Sequence, residues 1–247
     1  MIFEPAKRVK AIPRNFFNQL DEKISRVEDK ATLIDLAKGN PDQPTPDFIV
    51  TALKQAVDQP KNHGYTPFDG KKNLLNAIAD YYQREHGVQI DPQKEVLTFT
   101  GSVIGITALP QTLLNPGDYV ITTNPCYPEY YSAVSLAGGK LWQLDINPAN
   151  HYLPDLTSVP KDVLAKAKIL LLNYPNNPTG ATATQAFFNQ AIEFGKQNGI
   201  LVVNDFAYAA LGFNGQAVSL IQNSGSKEYA VELNTLSKTY NMAGWRV

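Results

Sequence analysis

Two stretches, Lys168–Asn173 (KILLLN) and Ile200–Asp205 (ILVVND), are apolar runs closed by a polar residue. A strand with one wet face alternates polar and apolar residues. A run without alternation belongs to a strand covered on both faces, and such strands are mostly parallel and joined by helical crossovers. Tyr229–Leu233 reads as a third strand of the same sheet, and Thr184–Asn198 as the helix between the first two. Upstream, Tyr119–Thr122 and Lys140–Ile146 read as strands, Tyr127–Ala137 as a helix and Asn115–Asp118 as a turn. Glu95–Thr100 reads as a strand that enters, through Gly101-Ser102, an apolar helix ending at Leu114. Short strands alternating with helices define an α/β domain with a mostly parallel sheet.

The first part of the chain has a different pattern. Phe16, Phe17, Leu20, Ile24 and Val27 fall at helical spacing within Asn15–Lys30. Leu33–Asp42 is a short extended piece broken by glycine and proline. Pro46 opens a helix through Ala56, with Thr45 in position to cap it. His63–Gly70 is a loop, and Lys71–Glu85 carries an apolar stripe of Leu74, Leu75, Ile78, Tyr81 and Tyr82.

Composition sets bounds on function. With 43% hydrophobic and 18% charged residues over 247 positions, the chain can bury a large core. A net charge of -1 creates no field for nucleic acid or an anionic membrane. No apolar run approaches the ~20 residues of a membrane helix, and Met1–Arg8 lacks the apolar core of a secretory signal. Cys126 is the sole cysteine, which fits a reducing compartment. A cytoplasmic protein without membrane or nucleic-acid partners is expected. His63, His86 and His151 are scattered, so no metal-ligand spacing is present. There is no phosphate-binding glycine motif and no serine-nucleophile motif.

Ligands of open α/β sheets collect at the carboxyl ends of the strands, and polar clusters occupy that position here. Gly101-Ser102 offers amides and a hydroxyl at a helix start, suited to phosphate or simply to a turn. Tyr174–Gly180 (YPNNPTG) is a proline-fixed loop that could aim an asparagine amide or be a structural turn. Asp205 either pairs with a protonated ring nitrogen or caps a helix over Phe206–Leu211, with Tyr208 three residues on. Tyr127 could stack on a flat ring or be a partly buried aromatic. Asn234–Arg246 (NTLSKTYNMAGWR) surrounds Lys238 with hydroxyl and small residues and sets Arg246 eight positions later. A lysine forms a Schiff base with an aldehyde, and hydroxyls with an arginine suit a phosphate. Taken singly, each cluster has a structural explanation. Together they supply the parts of a site for pyridoxal phosphate, an aldehyde carrying a phosphate and a pyridine ring.

Asn173–Gly180, Asp205–Tyr208 and Leu236–Arg246 resemble the class I/II aminotransferases, fold-type-I pyridoxal-phosphate enzymes, and within them the branch of the LL-diaminopimelate aminotransferases. Gly39–Asp42, Tyr65–Pro67 and Asn124–Pro128 extend the resemblance over essentially the whole chain. It implies an α-β-α sandwich around the parallel sheet, with residues 1–45 as an N-terminal arm and part of a small domain. Residues 46–247 would form a cofactor-binding large domain, incomplete at its C-terminal end. It also implies roles. Lys238 would hold the cofactor as a Schiff base and move the substrate proton. Asp205 would pair with the pyridine nitrogen, and Asn177 and Tyr208 would donate to the phenolic oxygen, with Asn177 also near substrate. Tyr127 would stack on the ring. Ser102, the Val103 amide, Ser237 and Arg246 would hold the phosphate. Tyr65 would reach the phosphate of a neighbouring subunit, implying a homodimer, and Gly39 would lie near the substrate carboxylate. The reaction implied is transfer of an amino group between an L-amino acid and a 2-oxo acid.

Thr235 stands where the family often has serine, and Ser102–Gly105 lacks a charged residue often found there. The arginine that grips the substrate carboxylate in the family has no counterpart here. The chain is therefore expected to be a fragment lacking the C-terminal small domain, and inactive by itself. Two other readings share the cofactor grip: another fold-type-I enzyme, such as a C–S lyase or decarboxylase, and a non-catalytic pyridoxal-phosphate-binding regulatory module.

Overall fold

Five parallel strands form one sheet: β1 (Tyr119–Asn124), β2 (Lys140–Asp145), β3 (Ala167–Leu172), β4 (Leu201–Asp205) and β5 (Ala230–Leu233), in the order β2-β1-β3-β4-β5. The computed structural model describes residues 3–29, 33–34, 36–37, 39–213, 215, 217–223 and 225–247. The helices, in chain order, are α1 (Lys7–Lys10), α2 (Phe16–Ser25), α3 (Asp47–Val57), α4 (Lys72–His86), α5 (Ser102–Leu113), α6 (Glu129–Leu136), α7 (Lys161–Leu164), α8 (Gln185–Asn198) and α9 (Leu236–Thr239).

The unbroken apolar runs are explained by the layers. Ile169, Leu171 and Val203 face α5 and α6, where they meet Ile106, Tyr130 and Val134. Leu170, Leu172 and Val202 face the other way, onto Phe187, Phe188 and Ala191 of α8. With side chains alternating across a strand, both faces need apolar residues. Ile121, Leu170, Leu172, Val202 and Phe188 are fully buried, each contributing roughly 1.5–3 kcal/mol. Helix α8 starts where the Thr184 hydroxyl accepts from the Phe187 N–H at 3.1 Å. It lies so close to the sheet that a Cβ at Gly195 would come within 2.6 Å of the Ile200 carbonyl oxygen. The expected parallel α/β sandwich is therefore realised.

The N-terminal arm has no buried residue in α1 or α2 and is held by polar contacts to α6. Ser135 Oγ donates to the Arg8 carbonyl at 2.6 Å, and Asn15 Nδ2 donates to Glu129 Oε1 at 3.3 Å. Of the expected helix Asn15–Lys30, α2 covers the part up to Ser25; Lys30 lies outside the described residues, as do Asp35 and Lys38 of the extended piece.

Three local expectations are corrected. Glu95–Thr100 forms no strand. Strand propensity needs a neighbouring ladder, and here Phe99 packs against α5 at Gly105 instead. Thr45 does not cap α3. Pro46 takes the cap position, and the Thr45 hydroxyl donates to the Asn241 carbonyl at 2.7 Å. Residues 206–211 form turns rather than a helix, so Asp205 has no helix to cap.

Candidate active site

A cleft of about 1050 Å³ opens at the carboxyl ends of β1, β3, β4 and β5. Segments leaving those strands bring Tyr127, Asn177, Asp205, Tyr208, Ser237 and Lys238 to its walls. The start of α5 adds Ser102 and Val103; Gly39 comes from the arm and Arg246 from the turn after α9. Residues scattered over more than 200 positions thus meet, most of them because they follow a strand end or start a helix beside one.

Asp205 is the last residue of β4 and is buried. Its Oδ2 accepts from the Tyr130 hydroxyl at 2.9 Å. Its Oδ1 is buried without a partner. Burial raises the carboxyl from 3.8 to about 6, and the Tyr130 bond opposes that rise in part. A buried acceptor left open in this way is costly, and a donor from a bound ligand would satisfy it.

Lys238 lies in α9, directly after β5. The helix begins where Thr235 Oγ1 accepts from the Ser237 N–H at 3.2 Å. Partial burial lowers the Lys238 ammonium, and its Nζ donates to the Gly39 carbonyl at 2.9 Å. Among the described residues, Asp205, Lys238 and Arg246 are the charged side chains lining the cleft.

Arg246 has a left-handed backbone (φ 57°), and its Nη1 donates to the Ala243 carbonyl at 3.0 Å. The guanidinium lies on Gly101, the residue before α5. A Cβ there would fall 2.4 Å from Nη2, and the glycine has φ +88°. The glycine thus lets an arginine sit beside the free amides at the start of a 12-residue helix. Buried Ser237 lines the same corner.

Asn177 and Tyr208 meet across the cleft wall: Asn177 Nδ2 donates to the Tyr208 oxygen at 3.2 Å. The tyrosine oxygen accepts there, so its own O–H is available to a ligand. Burial raises the Tyr208 phenol. Tyr127 packs edge-on against Tyr130, ring centres 5.7 Å apart, and burial pushes its phenol up to about 12. Tyr65 is fully exposed and does not line the cleft of this chain.

Sequence reasoning passed over two residues that shape the site. Tyr130 is the second residue of α6, where it reads as an ordinary core aromatic. Asn173 donates through Nδ2 to the Asp205 carbonyl at 2.6 Å and accepts through Oδ1 from the Asn177 N–H at 2.7 Å. A polar residue closing an apolar strand was the signal available for Asn173.

The comparisons agree with this geometry. A family model described as aminotransferase class I and II matches residues 31–247, and the chain belongs to that family. It is 46% identical to the L-glutamine--4-(methylsulfanyl)-2-oxobutanoate aminotransferase of Bacillus subtilis, over all of this chain and 63% of that protein. It is 41% identical to the LL-diaminopimelate aminotransferase of Aquifex aeolicus, over all of this chain and 64% of that protein. The structure of substrate-bound BacF from Bacillus subtilis superposes with a TM-score of 0.92 at 44% identity, covering all of this chain and 63% of that one. The chain thus spans a little under two thirds of the length of these relatives.

Pyridoxal phosphate is the cofactor of the family, and the residues present fit it. The unpartnered Asp205 Oδ1 suits a cationic ring N–H, and the cradle of Gly101, the α5 amides and Arg246 suits a phosphate. Lys238 supplies a primary amine in the same cleft.

Proposed function

We propose that the protein is a pyridoxal-phosphate-dependent aminotransferase that moves an amino group between an L-amino acid and a 2-oxo acid. The observation that carries this is the pairing, in one cleft, of a lysine whose charge is disfavoured with a buried carboxylate that has one open oxygen. When bound, the cofactor supplies an aldehyde for the lysine and a ring that accepts electron density from the substrate α-carbon.

The chain's own residues would do the rest. Lys238 Nζ would hold the cofactor and, as a free amine, would carry the proton taken from the substrate α-carbon. Its lowered proton affinity favours the neutral amine needed for the first transfer. Asp205 Oδ1 accepts from the ring N–H and keeps that nitrogen protonated. Asn177 and Tyr208 donate to the phenolic oxygen, and Tyr127 covers a ring face. Ser102, the Val103 amide, Ser237 and Arg246 bind the phosphate, and Gly39 borders the substrate carboxylate together with Asn177.

A homodimer is part of the reading. Phe48, Leu53 and Val57 of α3, with Tyr65 and Phe68 after it, leave apolar surface exposed. A second copy covering it would give Tyr65 a route to the neighbouring phosphate. Residues 1–45 are assigned to the arm and small domain, and 46–247 to the cofactor domain. No helix among the described residues is long and apolar enough to cross a membrane; a cytoplasmic location is proposed on the single cysteine.

The test uses the full-length protein. It should show a visible absorption band with pyridoxal phosphate that Lys238→Ala abolishes, and it should convert amino acid plus 2-oxo acid without releasing ammonia. A band unchanged in Lys238→Ala rejects the lysine's role. Pyruvate and ammonia as products would place the protein among the eliminating enzymes instead.

A further inference from the structure

Glu232 lies in the middle of β5, cross-strand from Asn204 of β4, on the face of the sheet away from Asp205. No step of the proposed reaction uses it. Two donors nevertheless converge on its carboxylate. Ser219 Oγ donates to Oε2 at 2.8 Å, and the Leu220 N–H donates to Oε1 at 2.6 Å. Asn204 is its register partner on β4, and the polar groups of Asn204 and Tyr82 nearby oppose in part the rise that burial imposes on the carboxyl.

These neighbours connect to segments that wall the cleft. Asn204 is fully buried just where β3 ends. Its Oδ1 accepts from the Tyr174 N–H at 2.9 Å and its Nδ2 donates to the Tyr174 carbonyl at 3.1 Å. This side chain therefore mimics a strand backbone and fixes the root of the loop that carries Asn177. The mimicry works in one amide orientation only, because a flipped amide sets donor against donor and acceptor against acceptor. The Glu232 carboxylate, next to Asn204 in register, favours the same orientation, with the amide nitrogen rather than its oxygen toward it. Ser219 and Leu220 close the segment that carries Tyr208. Tyr82 accepts from Asn234 Nδ2 at 3.5 Å, close to the start of α9.

We propose that Glu232 is a positioning residue: behind the sheet it ties together the two segments whose tips, Asn177 and Tyr208, must meet in the cleft. Their 3.2 Å contact joins the two segments, so it depends on both being held. The part of this proposal that concerns cofactor chemistry rests on the function proposed above; the tie between the segments does not.

Glu232→Gln tests it. The amide keeps the shape but presents an N–H₂ to a pair of donors, so part of the cluster must open. Amide hydrogen exchange is measured on the full-length protein without cofactor. The Tyr174 and Leu220 amides should exchange roughly 5-fold faster or more, the cost of about one hydrogen bond, while α8 stays as protected as in the wild type. With pyridoxal phosphate added, the pH midpoint of the bound absorption band should rise, because donors to an ionised oxygen stabilise it. That rise should disappear when Tyr208→Phe is already present. Unchanged exchange at Tyr174 overturns the proposal, and so does acceleration that extends equally through α8. A midpoint shift that survives in full in Tyr208→Phe also overturns it. If Glu232→Gln does not fold, Ser219→Ala removes a single donor. It should speed exchange at Leu220 and move the midpoint by a smaller step, and no change in either rejects the tie. Failure of the wild type to form the band would refute the cofactor reading and leave the exchange result to stand alone.

Discussion

The open oxygen of Asp205 makes a thermodynamic prediction that needs no substrate. In the folded chain burial holds its carboxyl at about 6, against 3.8 for an ordinary aspartate. Between those values the folded state keeps a proton that the unfolded state releases, so stability falls as pH rises through this window. Below the ordinary value both states are protonated and the penalty is absent; above about 6 it is complete. The interval corresponds to about 3 kcal/mol. Asp205→Asn removes the titration. The asparagine amide has its own unmet N–H groups, so the absolute stability of the variant also carries a desolvation cost. That cost is the same at every pH and drops out when the pH dependence is compared.

The assay is urea unfolding of the full-length protein, freed of cofactor, at intervals from pH 4 to pH 8. The stability difference between wild type and Asp205→Asn should change by about 2.4 kcal/mol across this range, in favour of the variant at the alkaline end. Pyridoxal phosphate should then reverse the preference, since a cationic N–H at Oδ1 favours the ionised carboxylate. A difference that is flat with pH would show that the carboxylate is not held in a desolvated, half-paired state. The argument for a cationic ring partner would fall with it.

Two further variants probe the neighbouring residues. Gly101→Ala pushes a methyl group onto the Arg246 guanidinium, 2.4 Å from Nη2, and strains a backbone at φ +88°; it should cost roughly 1–3 kcal/mol in stability and weaken pyridoxal phosphate roughly tenfold or more through lost charge-assisted bonds, read by absorbance titration. Tyr130→Phe takes away the hydroxyl that donates to Asp205 Oδ2; the upper edge of the pH-dependent window should move above that of the wild type in the same urea series, and an edge that moves down would refute the assigned role of the bond.

The legible parts of the structure are those written in local pattern. Runs without alternation identified β3 and β4, because two-sided burial leaves that mark. The polar residues closing those runs identified Asp205, and the loop residues after β3 led to Asn177. The error at Glu95–Thr100 arose because β-propensity describes a willing segment, not an available neighbour. Residues that act across the sheet were hidden for a related reason. Tyr130 and Asp205 are 75 positions apart and Ser219 and Glu232 are 13 apart, and neither separation has a periodicity. Asn204 was masked by its setting: inside ILVVND it reads as a polar interruption, and its purpose is visible only once Tyr174 is seen against it.

Asp205 and Glu232 occupy adjacent register levels of neighbouring strands, Asp205 opposite Leu233 and Glu232 opposite Asn204. The alternation of side chains sends them to opposite faces. Both carboxyls are raised by burial, to about 6 and about 7, yet their surroundings differ in kind. Glu232 has a donor on each of its two oxygens, from Ser219 and Leu220. Asp205 has one donor and one bare oxygen. A chain selected for stability alone would complete the second shell as it did the first, since an unmet buried acceptor costs roughly 1–3 kcal/mol. Leaving Oδ1 open lowers the stability of the empty protein and adds the same free energy to binding of a cationic donor.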